Sequence, residues 1–171
     1  YINMGKTIHG FIEKIYMFFV ELLFKIIKKD LTDKKRQTFK EFLQFGLVGV
    51  SNTIISYLLY VVTLLLVSKS GVKFDYIIAN IVSWLLSVLW SFYWNNKFVF
   101  KKEEGEKRNI WAALFKTYVS YGFTGLILNN ILSVLWVSVL HIRKMLAPII
   151  NLVISIPINF FMNKLWAFGK K

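Results

Sequence analysis

The chain contains four long apolar runs, at about 42–67, 76–94, 111–140 and 145–162, within only 171 residues. Each run has a length at which a helix crosses a bilayer, which takes roughly 17–25 residues or more when tilted. A soluble domain of this size could not bury so much apolar sequence in one core. The apolar content of 56% also exceeds the roughly 45–50% of soluble domains. The sequence therefore predicts an all-α membrane protein with four transmembrane helices.

The end of the second run is repeated 68 residues later, at the end of the fourth run. The segments are SFYWNNKFVF, starting at Ser91, and NFFMNKLWAF, starting at Asn159. In this alignment Phe92, Asn95, Phe98 and Phe100 correspond to Phe160, Asn163, Trp166 and Phe168. The first and third runs also begin alike, with FGLVG at 45–49 and YGFTG at 121–125, each followed by an Asn, Asn52 or Asn129. These marks predict two helical hairpins, about 42–100 and 111–168, which are repeats of one another.

Residues 1–40 precede the repeats, and we predict a boundary between them and the membrane domain, 41–171. Apolar residues recur there at helical spacing, but Glu13, Lys14, Glu21 and Lys25 interrupt the run. Such charges are costly at the middle of a bilayer, so the pattern favours an amphipathic helix at the membrane interface followed by a basic linker. A secretory signal peptide is the alternative, although no small-residue cleavage site follows Phe24.

Lys and Arg residues are distributed unevenly between the two ends of the spans. Eighteen lie in the N-terminal region, the central loop, the start of the third span and the C-terminal tail, against four in the other two loops. By the positive-inside rule, both termini and the central loop are cytoplasmic in a multi-pass protein of the cytoplasmic membrane. The two hairpins then have the same orientation and are parallel repeats, related by an axis along the membrane normal.

The composition argues against several kinds of chemistry. The chain has no Cys and only two His, and no Asp or Glu lies inside any of the four spans. These counts indicate no metal site, no cofactor and no enzymatic activity. The net charge of +13 lies beside membrane spans, which favours anionic membrane lipid as a partner and argues against nucleic acid.

Polar residues inside the spans form patterns at helical spacing. Asn80, Ser83, Ser87 and Ser91 predict a stripe that faces protein or a cavity, and Gly46 and Gly49 predict close contact between helices. Intramembrane Asn residues are costly to leave unpaired, so they either bond helices together or line a polar path for a sugar. Similarly, the aromatic and Lys residues of the repeated segments either anchor the helix ends at the interface or contribute to binding.

These motifs resemble those of GtrA-like membrane proteins, whose first span opens with F-x-x-x-G-x-x-N-T and whose hairpins close with N-F-x-x-N-R/K-x-W-x-F. Phe45, Gly49, Asn52 and Thr53 match the opening pattern. The residues that match the closing pattern are Asn159, Phe160, Asn163, Lys164, Trp166 and Phe168. The first closing segment departs from it, since Ser91 and Asn96 stand where Asn and a basic residue are expected. The resemblance covers about 42–171.

The resemblance implies that the protein moves polyprenyl-phosphate-linked sugars between leaflets, for glycosylation of cell-surface polysaccharide or teichoic acid. The residues are compatible with such a substrate, because amides suit a sugar and cations suit a phosphate. The candidate binding residues are Asn52, Asn95, Asn129, Asn159, Asn163, Lys97, Lys116 and Lys164. An alternative role is that of a non-transporting anchor or stabilising partner of a polyprenyl-phosphate glycosyltransferase. Because four spans form only a thin wall around a sugar, we also expect a homo-oligomer.

Overall fold

A computed structural model describes residues 2–26, 31–72, 74–102, 107–144 and 146–169. These residues form helices and their connections, and no strand occurs among them. The α-helices are α1 (Ile2–Ile26), α2 (Asp33–Ser68), α3 (Asp75–Trp94), α4 (Ile110–Gly122), α5 (Asn129–Val134) and α6 (Ala147–Met162). Four π-helical segments continue α3, α4, α5 and α6, namely Asn95–Val99, Phe123–Leu128, Leu135–Val139 and Asn163–Ala167.

Four helical stretches in the described part of the chain are long and apolar enough to cross a bilayer. They are Asp33–Ser68, Asp75–Val99, Ile110–Val139 and Ile149–Ala167. Even the shortest, with 19 residues, reaches about 28 Å at 1.5 Å per residue, close to the roughly 30 Å of a hydrocarbon core. The prediction of an all-helical protein with four spans is therefore confirmed.

The chain divides into two compact units, Tyr1–Leu47 and Val48–Lys171. In the first unit, α1 and the beginning of α2 form an antiparallel hairpin. Lys40 pairs with Glu13 at 2.9 Å, and Arg36, which comes earlier in α2, pairs with Glu21, which comes later in α1. The predicted domain boundary between residues 40 and 41 stays a prediction.

In the second unit, the first hairpin is formed by α3 and the part of α2 after residue 47. The turn is closed by the Ser68 hydroxyl, which donates to Asp75 Oδ2 at 2.6 Å, and Gly71 adopts a φ of 66° within it. Away from the turn, Trp90 Nε1 of α3 donates to Ser51 Oγ of α2 at 3.2 Å. From the first contact to the second, the residue number falls along α2, from Ser68 to Ser51, and rises along α3, from Asp75 to Trp90. The hairpin is therefore antiparallel.

The second and fourth spans bury the same face, at positions 68 residues apart. Ala79, Ser83, Ser87, Ser91 and Asn95 correspond to Ala147, Asn151, Ser155, Asn159 and Asn163, and all are buried except Asn159, which is half-buried. Residues four apart lie on one side of a helix, so each span turns one small polar stripe inward. The predicted stripe thus holds from Ser83 onward, whereas Asn80 is exposed.

The glycines of the opening motifs make no close contact with other helices in the described part of the chain. A Cβ built at Gly49 would have no atom within 4 Å, and the same is true at Gly125 in the third span. Both residues are exposed. The close helix contact predicted at Gly46 and Gly49 is therefore not made among the described residues, because a Cβ at Gly46 would also have no atom within 4 Å.

Candidate functional site

The repeated segments form matching turns at the ends of the second and fourth spans. We call Asn95–Val99 the first closing turn and Asn163–Ala167 the second closing turn. Each is π-helical, and each ends with an amide that reaches back five residues. The Phe100 N–H donates to the Asn95 carbonyl and the Phe168 N–H to the Asn163 carbonyl, both at 2.8 Å. The sequence repeat is thus also a repeat of backbone geometry.

Four buried phenylalanines hold the two closing turns together. Phe92 stacks on Phe168 with ring centroids 5.5 Å apart, and Phe100 packs against Phe160 at 5.9 Å. Phe100 and Phe168 stack on each other at 4.9 Å. The first Phe of each repeat therefore contacts the last Phe of the other, as expected around a two-fold axis. The second and fourth spans end at the same side, which makes the hairpins like-oriented.

The Asn that begins each closing turn is completely buried. Asn95 Nδ2 donates to Ser91 Oγ at 3.2 Å and to Tyr121 Oη at 3.3 Å, while Asn163 Nδ2 donates to the Asn159 carbonyl at 2.8 Å. The Oδ1 atoms of Asn95 and Asn163 have no hydrogen-bond partner among the described residues. Each of the two amides therefore has an unused hydrogen-bond acceptor that is buried from water.

Asn52 and Asn129, which follow the two opening motifs, have the same property. Each is half-buried, and the Oδ1 of each is buried without a hydrogen-bond partner in the described part of the chain. An unpaired buried acceptor costs about 1–3 kcal/mol. Four amides, those of Asn52, Asn95, Asn129 and Asn163, thus retain acceptors that a donor from elsewhere would satisfy.

A line of polar contacts joins the third and fourth spans. Thr124 Oγ1 donates to Asn159 Oδ1 at 2.9 Å. Farther along, Asn151 accepts from Trp136 Nε1 at 2.9 Å and donates to the Asn129 carbonyl at 3.0 Å. Its Nδ2 also donates to Ser133 Oγ at 2.8 Å. Asn151 and Asn159 are eight residues apart, or about 12 Å along a helix. These amides have the bonding role between helices that intramembrane Asn commonly takes.

The candidate cations lie at the ends of the spans and contact aromatic rings. Lys97 Nζ donates to Tyr93 Oη at 3.1 Å and lies 5.4–5.7 Å from the ring centroids of Tyr93, Trp94 and Phe98. Lys164 Nζ lies 5.7 Å from the Phe160 centroid. Lys116 Nζ donates to the Trp166 carbonyl at 3.0 Å and lies 5.6 Å from its ring. An ammonium has three donors, so Lys97 and Lys116 each have N–H groups beyond the one hydrogen bond described for them.

Arg108 of the central loop also contacts the first closing turn. Its Nη1 donates to the Phe100 carbonyl at 2.7 Å and to Asn96 Oδ1 at 3.0 Å, and its guanidinium carbon lies 5.4 Å from the Phe168 centroid. Arg108 therefore touches residues of both repeats. Nothing in the sequence pattern of the loop singled it out.

The structure brings some of the predicted residues together and leaves others apart. Asn159 and Asn163 are hydrogen-bonded, Lys164 follows them, and Lys116 reaches the same closing turn. Asn95 lies at the equivalent place in the other repeat with Lys97 two residues on. Asn52 and Asn129 make no direct side-chain contact with these residues among the bonds described.

Sequence reasoning did not select Tyr121, Thr124 or Trp136 as polar partners, although each bonds an Asn from another span. Tyr121 Oη also lies 2.8 Å from Ser91 Oγ. One signal was available for Tyr121, which stands where Phe45 stands in the first opening motif. Tyr121 differs from Phe45 by its hydroxyl, and this hydroxyl contacts the Ser91 side chain of the first closing segment.

A family model described as the GtrA/DPMS transmembrane domain matches residues 44–168. The matched stretch includes all of the second, third and fourth spans up to Phe168 and the apolar part of the first. No curated protein and no solved structure matches the chain significantly. The chain therefore belongs to the GtrA/DPMS transmembrane-domain family, as a multi-pass membrane protein that takes part in the handling of lipid-linked sugars.

Proposed function

We propose that the protein translocates a polyprenyl-phosphate-linked monosaccharide from the cytoplasmic to the outer leaflet, for glycosylation of cell-surface polysaccharide or teichoic acid. One observation carries the proposal. The buried amide oxygens without a partner in the described chain include those of Asn52, Asn129, Asn95 and Asn163. Asn95 and Asn163 occupy equivalent positions in the two repeats, and Asn52 and Asn129 each follow an opening motif. A purely structural set of amides would be expected to use its acceptors within the protein, as Asn151 does.

The polarity of these unused groups favours a neutral sugar. Sugar hydroxyls donate hydrogen bonds, so they fit Oδ1 acceptors. A carboxylate on the sugar would place more acceptors against them and would be repelled. Because an unpaired acceptor in an apolar medium is costly, a sugar hydroxyl would recover free energy that the empty protein lacks, once the helices part far enough for the hydroxyl to reach these buried oxygens. Asn159 contributes less to such contacts, because its Oδ1 already accepts from Thr124.

The phosphate of the lipid would meet the cations at the ends of the spans. Lys97 belongs to the first closing turn and Lys164 to the second, and Lys116 bonds to the second. Charge-assisted hydrogen bonds to phosphate are the strong ones, and Lys is a usual partner for this group. The polyprenyl tail needs no site of its own, since it can stay in the surrounding lipid. No bond is made or broken in this process, and we propose no catalytic residue.

The alternative function is that of a membrane anchor or stabilising partner for a polyprenyl-phosphate glycosyltransferase. A specific observation favours it, namely that much of the repeated motif is used for packing. Phe92, Phe100, Phe160 and Phe168 contact one another, and the amide of Asn151 is fully bonded within the chain. Under this alternative the protein contributes its surface to a complex and transports nothing.

The deciding experiment uses the purified protein in liposomes that contain a fluorescent polyprenyl-phosphate sugar. Transfer to the other leaflet is followed with a membrane-impermeant quencher. We expect wild-type protein to speed transfer, Asn163→Ala to abolish most of it, and Lys164→Ala to do the same. Asn130→Ala is the matched control, because Asn130 is an exposed amide whose one hydrogen bond among the described residues goes to the Leu126 carbonyl of its own helix turn.

The same variants separate the two functions in cells. If the protein is a transporter, Asn163→Ala and Lys164→Ala insert normally but lose sugar addition at the cell surface. Wild-type surface glycosylation in both variants, together with no transfer in liposomes, would support the anchoring role. Co-purification of a glycosyltransferase with all variants would agree with that outcome.

The orientation in the membrane is part of the proposal. Both termini and the central loop are proposed to be cytoplasmic, in the cytoplasmic membrane. Because the chain has no Cys, single cysteines at Lys102 and at His141 can be labelled from one side with an impermeant reagent. We expect labelling of position 141 in intact cells and of position 102 only after lysis. A homo-oligomer is likewise proposed, and a monomeric mass in both detergent and lipid would exclude it.

A further inference from the structure

One face of α1 is buried within the first compact unit. Met17 and Val20 are 6% and 7% exposed. On the same side, the ring of Phe24 lies 5.7 Å from that of Phe39 in α2. The ion pairs that join Glu13 to Lys40 and Glu21 to Arg36 hold the two helices together along this side. One face of α1 therefore supplies the residues that this helix contributes to the core of the hairpin.

The opposite face of α1 is apolar as well, yet it is exposed. Ile15, Phe18, Phe19 and Leu22 are 44%, 62%, 62% and 43% exposed. With 3.6 residues per turn, these four positions fall within an arc of about 100°. The centre of the arc lies about half a turn of the helix from the buried face. We call these four residues the exposed strip.

The charge beside the exposed strip is positive. Lys14 and Lys25 are both exposed and lie along one edge of the strip. The nearest acids on α1, Glu13 and Glu21, are neutralised by their pairs with Lys40 and Arg36. Residues 1–40 contain nine Lys and Arg against four Asp and Glu. An occupant of the strip should therefore be apolar at its centre and anionic at its edge.

We propose that the exposed strip is a binding surface for anionic membrane lipid, with its side chains at the boundary between headgroups and acyl chains. Lys14 and Lys25 then contact lipid phosphates at the edge. An amphipathic helix with aromatic residues on one face and Lys beside them binds anionic membranes in this way. α2 continues in sequence from this hairpin into the first apolar span, so a bilayer is always available to the strip. A second copy of the chain would cover the apolar residues, but with 22 Lys and Arg against nine Asp and Glu it is a poorer source of anionic partners for the lysines than an anionic bilayer.

The test uses the full chain and its lack of cysteine. Phe18→Cys, Leu22→Cys and Gln37→Cys are each labelled with a polarity-sensitive fluorophore and placed in nanodiscs that contain phosphatidylglycerol. Gln37 is the control, because it is an exposed polar residue on the α2 side of the same unit. We expect quenchers carried on the lipid to quench the labels at 18 and 22 several-fold more than the label at 37. Equal exposure of all three labels to an aqueous quencher would overturn the proposal.

The identity of the occupant is tested with the lipid composition. Quenching at position 18 should fall several-fold when phosphatidylcholine replaces phosphatidylglycerol, or when Lys14→Gln and Lys25→Gln are combined. If the strip instead packs against a second copy, quenching will be independent of headgroup charge and will change with the number of chains per disc. That result would refute lipid binding. The readout is the depth of α1, so it does not depend on whether the protein transports a sugar.

Discussion

The rings of Phe100 and Phe168 stack with their centroids 4.9 Å apart and their planes inclined by 26°. The two residues occupy the same place in the two repeats, so a local two-fold axis passes between them. Phe92 and Phe160 extend the stack on either side, each against the last Phe of the other repeat. One part of the interface between the two hairpins is therefore built from the ends of their own repeated segments, beside the contacts that Tyr121 makes with Ser91 and Asn95.

The first prediction concerns this stack. Phe100→Ala and Phe168→Ala should each destabilise the protein by about 3 kcal/mol, because both rings are buried and leave a cavity when removed. Each variant also deletes the contact between the two rings, so the double variant should lose less than the sum of the two. Thermal unfolding in detergent measures both effects. Phe115→Ala is the control, since Phe115 is 68% exposed, and a comparable loss there would contradict the assignment.

The second prediction concerns Asn151, which uses both ends of its amide between the third and fourth spans. Hydrogen bonds between membrane helices contribute about 0.6 kcal/mol on average and at most about 1.7 kcal/mol. Asn151→Ala breaks three of them and should cost about 2 kcal/mol. Asn130→Ala removes only a bond to its own helix and should change the unfolding midpoint little. Equal unfolding midpoints for the two variants would contradict the prediction that Asn151 stabilises the contact between the third and fourth spans.

Sequence patterns predicted the spans and the repeat well, because both follow from hydropathy and from residues at fixed spacing. Partners across the bundle could not be predicted in the same way. Asn80 and Asn95 are both Asn in the second span, yet Asn80 is exposed and Asn95 is completely buried. Which face of a helix meets another depends on tertiary packing, and hydropathy does not distinguish lipid from protein as an apolar neighbour.

The π-helical closing turns were also not predictable from local sequence. Their backbone hydrogen bonds, from residue 100 to 95 and from 168 to 163, join residues five apart, whereas α-helical bonds join residues four apart. Such turns are rare. They are stabilised here by contacts from outside the turn, including the Phe stack and the side chains of Arg108 and Lys116. The repeat predicted that the two turns would be alike, without predicting their form.

The third prediction concerns Gly169, two residues after the end of the second closing turn. A Cβ at this position would lie 2.1 Å from the Leu165 carbonyl oxygen, a distance that backbone atoms cannot accept. Gly169→Ala should therefore displace the end of the turn and lower stability by about 1–3 kcal/mol. Gly125→Ala is the matched control, because its Cβ would have no atom within 4 Å. It should leave the unfolding midpoint unchanged or raise it, since Ala is a better helix former than Gly.

The fourth prediction concerns Arg108 and the first closing turn. Arg108→Gln removes the guanidinium that bonds to the Phe100 carbonyl and to Asn96. The turn should then open more often, which exposes the Phe100 amide that it holds against the Asn95 carbonyl. A loss of about 1.4 kcal/mol in local stability corresponds to about tenfold faster exchange of this amide. Hydrogen exchange followed by mass spectrometry or NMR measures the change.

The second closing turn supplies an internal reference for that measurement. The Phe168 amide makes the same bond to Asn163, but its turn is held by Lys116 at the Trp166 carbonyl. Arg108→Gln should therefore accelerate exchange at Phe100 more than at Phe168, and Lys116→Met should do the reverse. Equal acceleration of both amides in either variant would mean that the turns open only together, through the stack of Phe100 on Phe168. In that case the two hairpins would respond as one unit, and neither cation would control its own turn.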